Sequence, residues 1–338
     1  MRSELTIDLA ALARNARTLV KALEGAELWA VVKADGYGHG APGAARAALE
    51  AGASALGVAT VAEGVAVRAE LPEARILVLG PAPDVRAARE ARLELTVASG
   101  PIPEGVPVHL KLDTGMGRWG LSELPAPTRD VVGLMTHLAS ADCDPEFTRL
   151  QLERFQAATD PFSHLTRHAA NSAAALRLRE SHFDAARCGV ALYGLSPFGT
   201  DPADDGLEPV LSWRSALGQV RRLSAGESTG YGRRFVAERP TWVGIVPIGY
   251  ADGFRRDMTG TEVLVDGERR RVVGTVSMDA IAVELAGELP AGAPVTLVGD
   301  GVLLEEHARI AGTINYELAC GIGSAARATR AAKRVLDA

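Results

Sequence analysis

Lys33 is the residue of this chain best placed to do chemistry. It closes the apolar run LWAVV in residues 28–40, LWAVVKADGYGHG. That run has the length and β-branched content of a buried strand. Burial lowers the pKa of an amine, and a neutral lysine amine forms an imine with a carbonyl group. Gly36, Gly38 and Gly40, with Tyr37 and His39 between them, read as open backbone that a phosphate could approach. An imine-forming lysine beside such a loop points to pyridoxal 5′-phosphate (PLP) rather than a nucleotide. The G-x-G-x-x-G spacing of a dinucleotide site is absent. Against this stands the ordinary behaviour of these residue types. A lysine at a strand end is commonly solvated, and glycines commonly serve a turn.

The elements around Lys33 give it a place. Candidate strands are LWAVVK (28–33), ALGVAT (55–60), RILVLG (75–80), LELTVA (93–98), VHLKLD (108–113), GLMTHL (133–138), HLTRHA (164–169) and ARCGVA (186–191). Ala/Arg/Glu-rich helical stretches such as AARAALEAG and EFTRLQLERFQAA separate most of them. Eight such units in succession predict an eight-stranded, TIM-like α/β barrel, with an open doubly wound sheet as the other reading. Lys33, Arg118, His137, His168 and Arg187 lie at or just after strand ends. In a barrel those ends converge on one face, where catalysis sits.

After Pro209 the pattern changes to alternation and short strands, LSWRSALGQVRRL, TWVGIVPIGY and EVLVDGERRRVVGTVSMD, with VDGE as a hairpin turn. This predicts a mostly β domain with a helix near 303–311 and another at the terminus. LTIDL near the start reads as a strand that joins it. The expected division is a barrel over 9–208 and a β domain over 209–338 with 1–8.

Composition limits the partners. The 338 residues suffice for one large and one smaller domain. The net charge is −6, and no basic stripe of the kind nucleic acid requires is present. No apolar stretch reaches membrane-spanning length free of charges. Cys143, Cys188 and Cys320 make no C-x-x-C pair, so no metal is expected, and their odd count predicts a reducing cytoplasm. MRSELTIDLAAL lacks the apolar core of a secretory leader. Lysine is scarce beside arginine, and Lys33 and Lys111 are the two inside apolar strand-like runs.

Nine segments, AVVKADGYGHG, KLDTGMGRWG, GLMTHLASAD, HAANSAA, ARCGVALYG, STGYGRRF, PIGYADG, VSMD and TINYE, occur in this order. The chain thereby resembles the alanine racemases from Leu5 to about Cys320. The resemblance implies a PLP-binding barrel, a C-terminal β domain and a Schiff base on Lys33. It implies a homodimer with shared active sites, in which Tyr231 comes from the partner subunit. Racemisation of alanine needs an acid–base group on each face of the α-carbon. Lys33 is implied for the D-face and Tyr231 for the L-face. A tyrosine ordinarily titrates near ~10, so neighbouring positive charge is needed to make it a base at neutral pH. His137 and Arg187 are the implied supporting groups, and Arg187 should face the pyridine nitrogen, oriented by His168.

Phosphate binding is implied for Tyr37, Ser172, Gly189 and Tyr316, with the backbone of Val190. Ser172 also suits a plain helix N-cap. Arg118 and Met278 are implied at the substrate carboxylate, Tyr250 and Tyr316 as the pair that narrows the entrance, and Asp279 as a supporting or entrance residue. Lys111 matches a lysine carbamylated in many members, and a simple amine paired to Asp113 is the alternative. His164 and His168 stand four apart, but a strand-like segment does not present them as metal ligands. Thr275, Ser277 and the tail CGIGSAARATR depart from the family pattern. The expected function is alanine racemisation, supplying D-alanine for peptidoglycan. A broad-specificity racemase on the same scaffold is the alternative. A PLP carrier lacks the β domain, and a PLP decarboxylase needs other motifs.

Overall fold

The computed structural model describes residues 2–327 and 332–337. The chain divides into two compact units, Ala10–Phe198 with Pro202–Glu208, and Met1–Leu9 with Gly199–Asp201 and Pro209–Ala338.

A first strand, β1 (Ser3–Asp8), precedes the long helix Leu9–Ala22. The larger unit is then a closed parallel barrel of β2 (Glu27–Val31), β3 (Ala55–Val58), β4 (Ile76–Val78), β5 (Glu94–Val97), β6 (Val108–Lys111), β7 (Val131–Met135), β8 (Thr166–His168) and β9 (Ala185–Cys188). Closure comes from β9 pairing back on β2, with Trp29 opposite Arg187. That pairing rules out the open doubly wound sheet. Strands covered on both faces carry nearly continuous apolar runs, and β3, β4, β6 and β9 are buried throughout. Inside the barrel Trp29 packs on Ala55, Leu77 and Ala185.

The helices between strands have local causes. Val61–Glu70 begins at Thr60, whose side chain accepts the Glu63 N–H while Glu63 reaches back, a reciprocal capping box. Pro145–Thr159 begins at Asp144, which caps Phe147 N–H, with proline in the first turn. No helix joins β5 to β6 or β6 to β7. SGPIPEGVP carries three prolines, and DTGMGRWG has glycines at Gly115, Gly117 and Gly120 with φ of 138°, 65° and 154°.

The smaller unit holds β10 (Leu211–Ala216), β11 (Gln219–Leu223), β12 (Ser228–Thr229), β13 (Phe235–Val236), β14 (Thr241–Val246), β15 (Glu262–Val265), β16 (Glu268–Val273), β17 (Ile281–Leu285), β18 (Pro294–Val298) and β19 (Ala332–Leu336). Nine of its strands form one sheet in the order β11-β14-β17-β16-β15-β18-β10-β1-β19. β1 pairs antiparallel with β10, and its residues alternate between buried and half-buried. Val265 pairs with Glu268 across Asp266-Gly267, whose φ values of 52° and 82° suit a two-residue hairpin. Helices Leu304–Ala311 and Asn315–Arg327 follow β18. Ala328, Thr329 and Arg330 of the divergent tail lie outside the described residues.

Candidate active site

The barrel gathers its polar side chains at the carboxyl ends of its strands. Lys33 lies two residues beyond β2, Lys111 ends β6, His137 follows β7, His168 ends β8, and Arg187 lies within β9. The sequence places Lys33 on the strand itself, but β2 stops at Val31. The segment after it is also not open backbone. Ala34, Asp35, Gly36 and Tyr37 take φ of 52°, 53°, 62° and 53°, a turn of left-handed helix closed by Gly38 N–H on the Ala34 carbonyl at 3.0 Å. Such a backbone costs roughly 1–2 kcal/mol per L-residue. Opposing that cost, Ala34 N–H donates to Glu63 Oε1 at 2.8 Å and Ala41 N–H to Asp35 Oδ1 at 2.9 Å. Tyr193 lies against Tyr37 and His39, with ring centroids 5.0 and 4.6 Å away.

Arg187 is 5 % exposed and heavily engaged. Nη1 donates to His168 Nδ1 at 2.7 Å and to the His168 carbonyl at 2.8 Å. Nη2 donates to the Thr136 carbonyl at 2.6 Å and lies 3.4 Å from His137 Nδ1. Nε–H has no partner among the described residues. Burial brings the Arg187 pKa down to about 10, so the guanidinium stays charged at neutral pH.

Lys111 is 4 % exposed, and burial, with Arg187 and Arg118 nearby, lowers its pKa to about 8. Asp113 does not neutralise it by contact. Its carboxylate accepts backbone N–H groups from Gly115, Met116 and Gly117 at 2.8–3.1 Å, within its own loop. His137 is driven well below the ordinary histidine range by burial and by Arg187, Lys111, Arg118 and Lys33. Four cations therefore act on one neutral imidazole. Such a cluster calls for anionic ligands.

A second polar group forms where the chain leaves β9. Ser172 Oγ accepts Gly189 N–H at 3.1 Å and Ala191 N–H at 3.3 Å. A Cβ on Gly189 would stand 2.4 Å from the Tyr37 hydroxyl, so only glycine admits that ring. Tyr37, Ser172, Gly189 and Val190 are thus brought together. Ser172 is not the N-cap of its helix; Asn171 is, accepting Ala174 N–H at 3.1 Å, and Ser172 is left for the cradle. Hydroxyl groups of this kind suit a phosphate dianion.

The remaining candidates lie in the smaller unit. Tyr231 is 74 % exposed on a turn whose carbonyl accepts Thr275 Oγ1–H at 2.8 Å. The departure at Thr275 therefore anchors this turn. Tyr250 N–H donates to the Ser277 carbonyl at 3.0 Å, and Ala251 N–H to the Met278 carbonyl at 3.1 Å. A Cβ on Gly249 would lie 2.2 Å from Ser277 O, so the Tyr250 and Met278 turns are pressed together. Arg2 bridges buried Asp252 at 2.8 Å and Asp279 at 3.3 Å. Tyr316 lies in the first turn of the helix Asn315–Arg327, its N–H donating to Asn315 Oδ1 at 2.9 Å.

Sequence reasoning missed His109, Glu94 and Glu63. Strand alternation in VHLK puts His109 on the same side as Lys111, and that signal was available.

An eight-stranded parallel barrel with cations and an anion cradle at its strand ends, followed in sequence by a separate β unit, defines a class of barrel enzyme. The alanine racemase N-terminal domain matches residues 7–197, and the alanine racemase C-terminal domain matches residues 210–331. The chain belongs to the alanine racemase family. It is 38% identical to alanine racemase 1 of Bacillus subtilis, covering 94% of this chain and 90% of that one. It is 40% identical to the alanine racemase of Streptomyces coelicolor, over 96% and 94%. Among solved structures, the biosynthetic alanine racemase of Pseudomonas aeruginosa superposes with a TM-score of 0.91 at 35% identity, over 99% of this chain and 100% of that one. The alanine racemase of E. faecalis gives 0.89 at 36%, over 99% and 98%. Among the described residues no helix is long and apolar enough to cross a membrane.

Proposed function

We propose that this protein interconverts L- and D-alanine with PLP and supplies D-alanine for peptidoglycan. The observation that carries the reading is the pairing of the Lys33 turn with the Tyr37–Ser172–Gly189 cradle, two residues along the chain from Arg187, whose Nε–H has no partner among the described residues. These groups suit the two ends of the cofactor. Tyr37, Ser172, Gly189 and the Val190 backbone would hold the phosphate, with Tyr316. When bound, PLP supplies the electron sink that lets the α-C–H bond break.

The protein's own groups do the rest. Lys33 Nζ anchors the cofactor and exchanges the α-proton on the D-face. The hydroxyl of Tyr231 of the partner subunit does so on the L-face. Arg187 has no acidic proton to surrender at neutral pH, so it leaves the ring nitrogen unprotonated and discourages transamination. Arg118 and Met278 N–H take the substrate carboxylate, with Tyr250 and Asp279 at the entrance. His168 holds Arg187, and His137 supports the proton network. Lys111 has the lowered pKa that a carbamate-forming amine needs. The high exposure of Tyr231, Tyr250 and Met278 in one chain supports a homodimer with shared sites. Cys143 and Cys188, neither of them in a disulfide, fit a cytoplasmic location.

Chiral chromatography of L-alanine incubated with protein and PLP tests the reading. Conversion to racemate is expected, with loss in Lys33→Ala. After borohydride reduction, cofactor label on any lysine but Lys33 would overturn the assignment.

A further inference from the structure

We propose that Glu94, at the opposite end of the barrel from Lys33, is a positioning residue for Arg187. It acts through a buried chain of three hydrogen bonds, Arg187–His168–His109–Glu94. The proposal deepens the function given above and rests on Arg187 serving that site.

The chain runs through the barrel interior. Arg187 Nη1 meets His168 Nδ1 at 2.7 Å, His168 Nε2 meets His109 Nδ1 at 2.8 Å, and His109 Nε2 meets Glu94 Oε2 at 2.8 Å. Both imidazoles are fully buried. Glu94 opens β5 and His168 closes β8, so in a parallel barrel the chain joins its two ends. Space for it is made by Gly133, where a Cβ would stand 2.1 Å from His109 Nδ1. Trp29 packs on both rings, with centroids 5.5 and 4.4 Å away.

The two ends dictate every proton between them. A guanidinium only donates, so His168 Nδ1 is bare and its Nε2 carries hydrogen. His109 Nδ1 must accept that hydrogen, so His109 Nε2 carries the next one. A carboxylate only accepts, and Glu94 receives it. One hydrogen fills each gap, and no other neutral arrangement does. Burial lowers the pKa of both histidines and keeps them neutral. Burial alone would raise the Glu94 pKa, but His109 and Arg75 hold it below the usual value. Arg75 Nε donates to Glu94 Oε1 at 2.8 Å, while its guanidinium covers Trp29 at 4.6 Å from the ring centroid. Glu94 thereby fixes both tautomers and gives Arg187 a bare nitrogen to grip.

Glu94→Gln breaks this logic. The amide has one oxygen and two neighbours that each donate to it. If Arg75 keeps the oxygen, the amide N–H2 faces His109 Nε2, which must then be bare. Both tautomers reverse, and an N–H on His168 Nδ1 confronts Arg187. The double variant Glu94→Gln/Arg75→Leu frees the amide oxygen for His109 and should restore the wild-type arrangement.

The test is 15N NMR of histidine-labelled holoenzyme, read together with kinetics. In the wild type His109 and His168 should both show a bare Nδ1 and protonated Nε2. Glu94→Gln should reverse or mix these tautomers and lower kcat about tenfold, with KM for alanine less affected. The double variant should recover both the tautomers and the rate. Wild-type tautomers of the opposite kind, or Glu94→Gln with unchanged tautomers and kcat, would overturn the proposal. So would a double variant that stays as defective as the single one. If Glu94→Gln does not fold, Glu94→Asp keeps the charge and should retain the Nε2–H of His109; its loss there counts against the proposal. Correct tautomers in a protein that racemises nothing would instead indict the functional reading alone.

Discussion

Arg187 grips His168 at two points, the ring nitrogen at 2.7 Å and the carbonyl oxygen at 2.8 Å, so one guanidinium fixes both the imidazole and the end of β8. The same group satisfies the Thr136 carbonyl at 2.6 Å. Arg187→Leu would leave buried acceptors without donors, at about 1–3 kcal/mol each. Urea denaturation should show that loss, and Arg187→Lys should lose less because an ammonium satisfies some of them. Equal midpoints for wild type and Arg187→Leu would mean that the clamp is not structural.

Acid should weaken the barrel before the carboxylates titrate. His109, His137 and His168 have folded-state pKa values below the ordinary one, chiefly through burial. The unfolded chain takes protons first as pH falls through ~6.5, so the stability of the neutral form is present above that pH and lost below it. Denaturation midpoints should be level above pH 7 and decline from about pH 6.5 downward. A midpoint unchanged to pH 5.5 would show that the buried rings charge freely.

Lys111 should carry a carbamate. Its pKa of about 8 leaves a useful fraction of neutral amine at physiological pH, and the cations around it favour a new anion. Protein equilibrated with 13C-bicarbonate should give a carbamate carbonyl resonance that Lys111→Arg abolishes. No difference between the two spectra would leave Lys111 as a plain amine.

Complementation tests the shared site. Lys33→Ala and Tyr231→Ala homodimers should each be inactive. Refolding a mixture should rebuild one complete site per heterodimer. A mixture as inactive as its parents contradicts a site drawn from two subunits.

Alanine should be preferred over larger substrates. An added methylene in a tight pocket costs about 1–3 kcal/mol, so kcat/KM should fall from alanine to serine and nearly vanish for leucine. Serine turned over as well as alanine would favour the broad-specificity reading.

The eight barrel strands were legible because parallel strands buried on both faces leave unbroken apolar runs. Helix placement was less so, since the segments from 98 to 107 and from 112 to 130 connect strands without any helix. The Lys33 turn was misread because GYGHG signals permissive backbone without saying which conformation is used. Its left-handed geometry depends on Glu63, Asp35 and Tyr193, and Tyr193 is distant in sequence. Alternation along VHLK puts His109 on the face of Lys111, but its pairing with His168 and Glu94 crosses strands, and no neighbour of Glu94 in sequence announces that partner.

The turn after Lys33 has a stereochemical consequence. From Ala34 to Gly38 the backbone traces the mirror image of an ordinary helical turn. A residue of inverted chirality is at ease there. Chemical ligation that installs D-alanine in place of Gly38, where φ is 86° and ψ is −5°, should therefore stabilise the barrel by restricting the unfolded chain, while L-alanine at the same site should destabilise it.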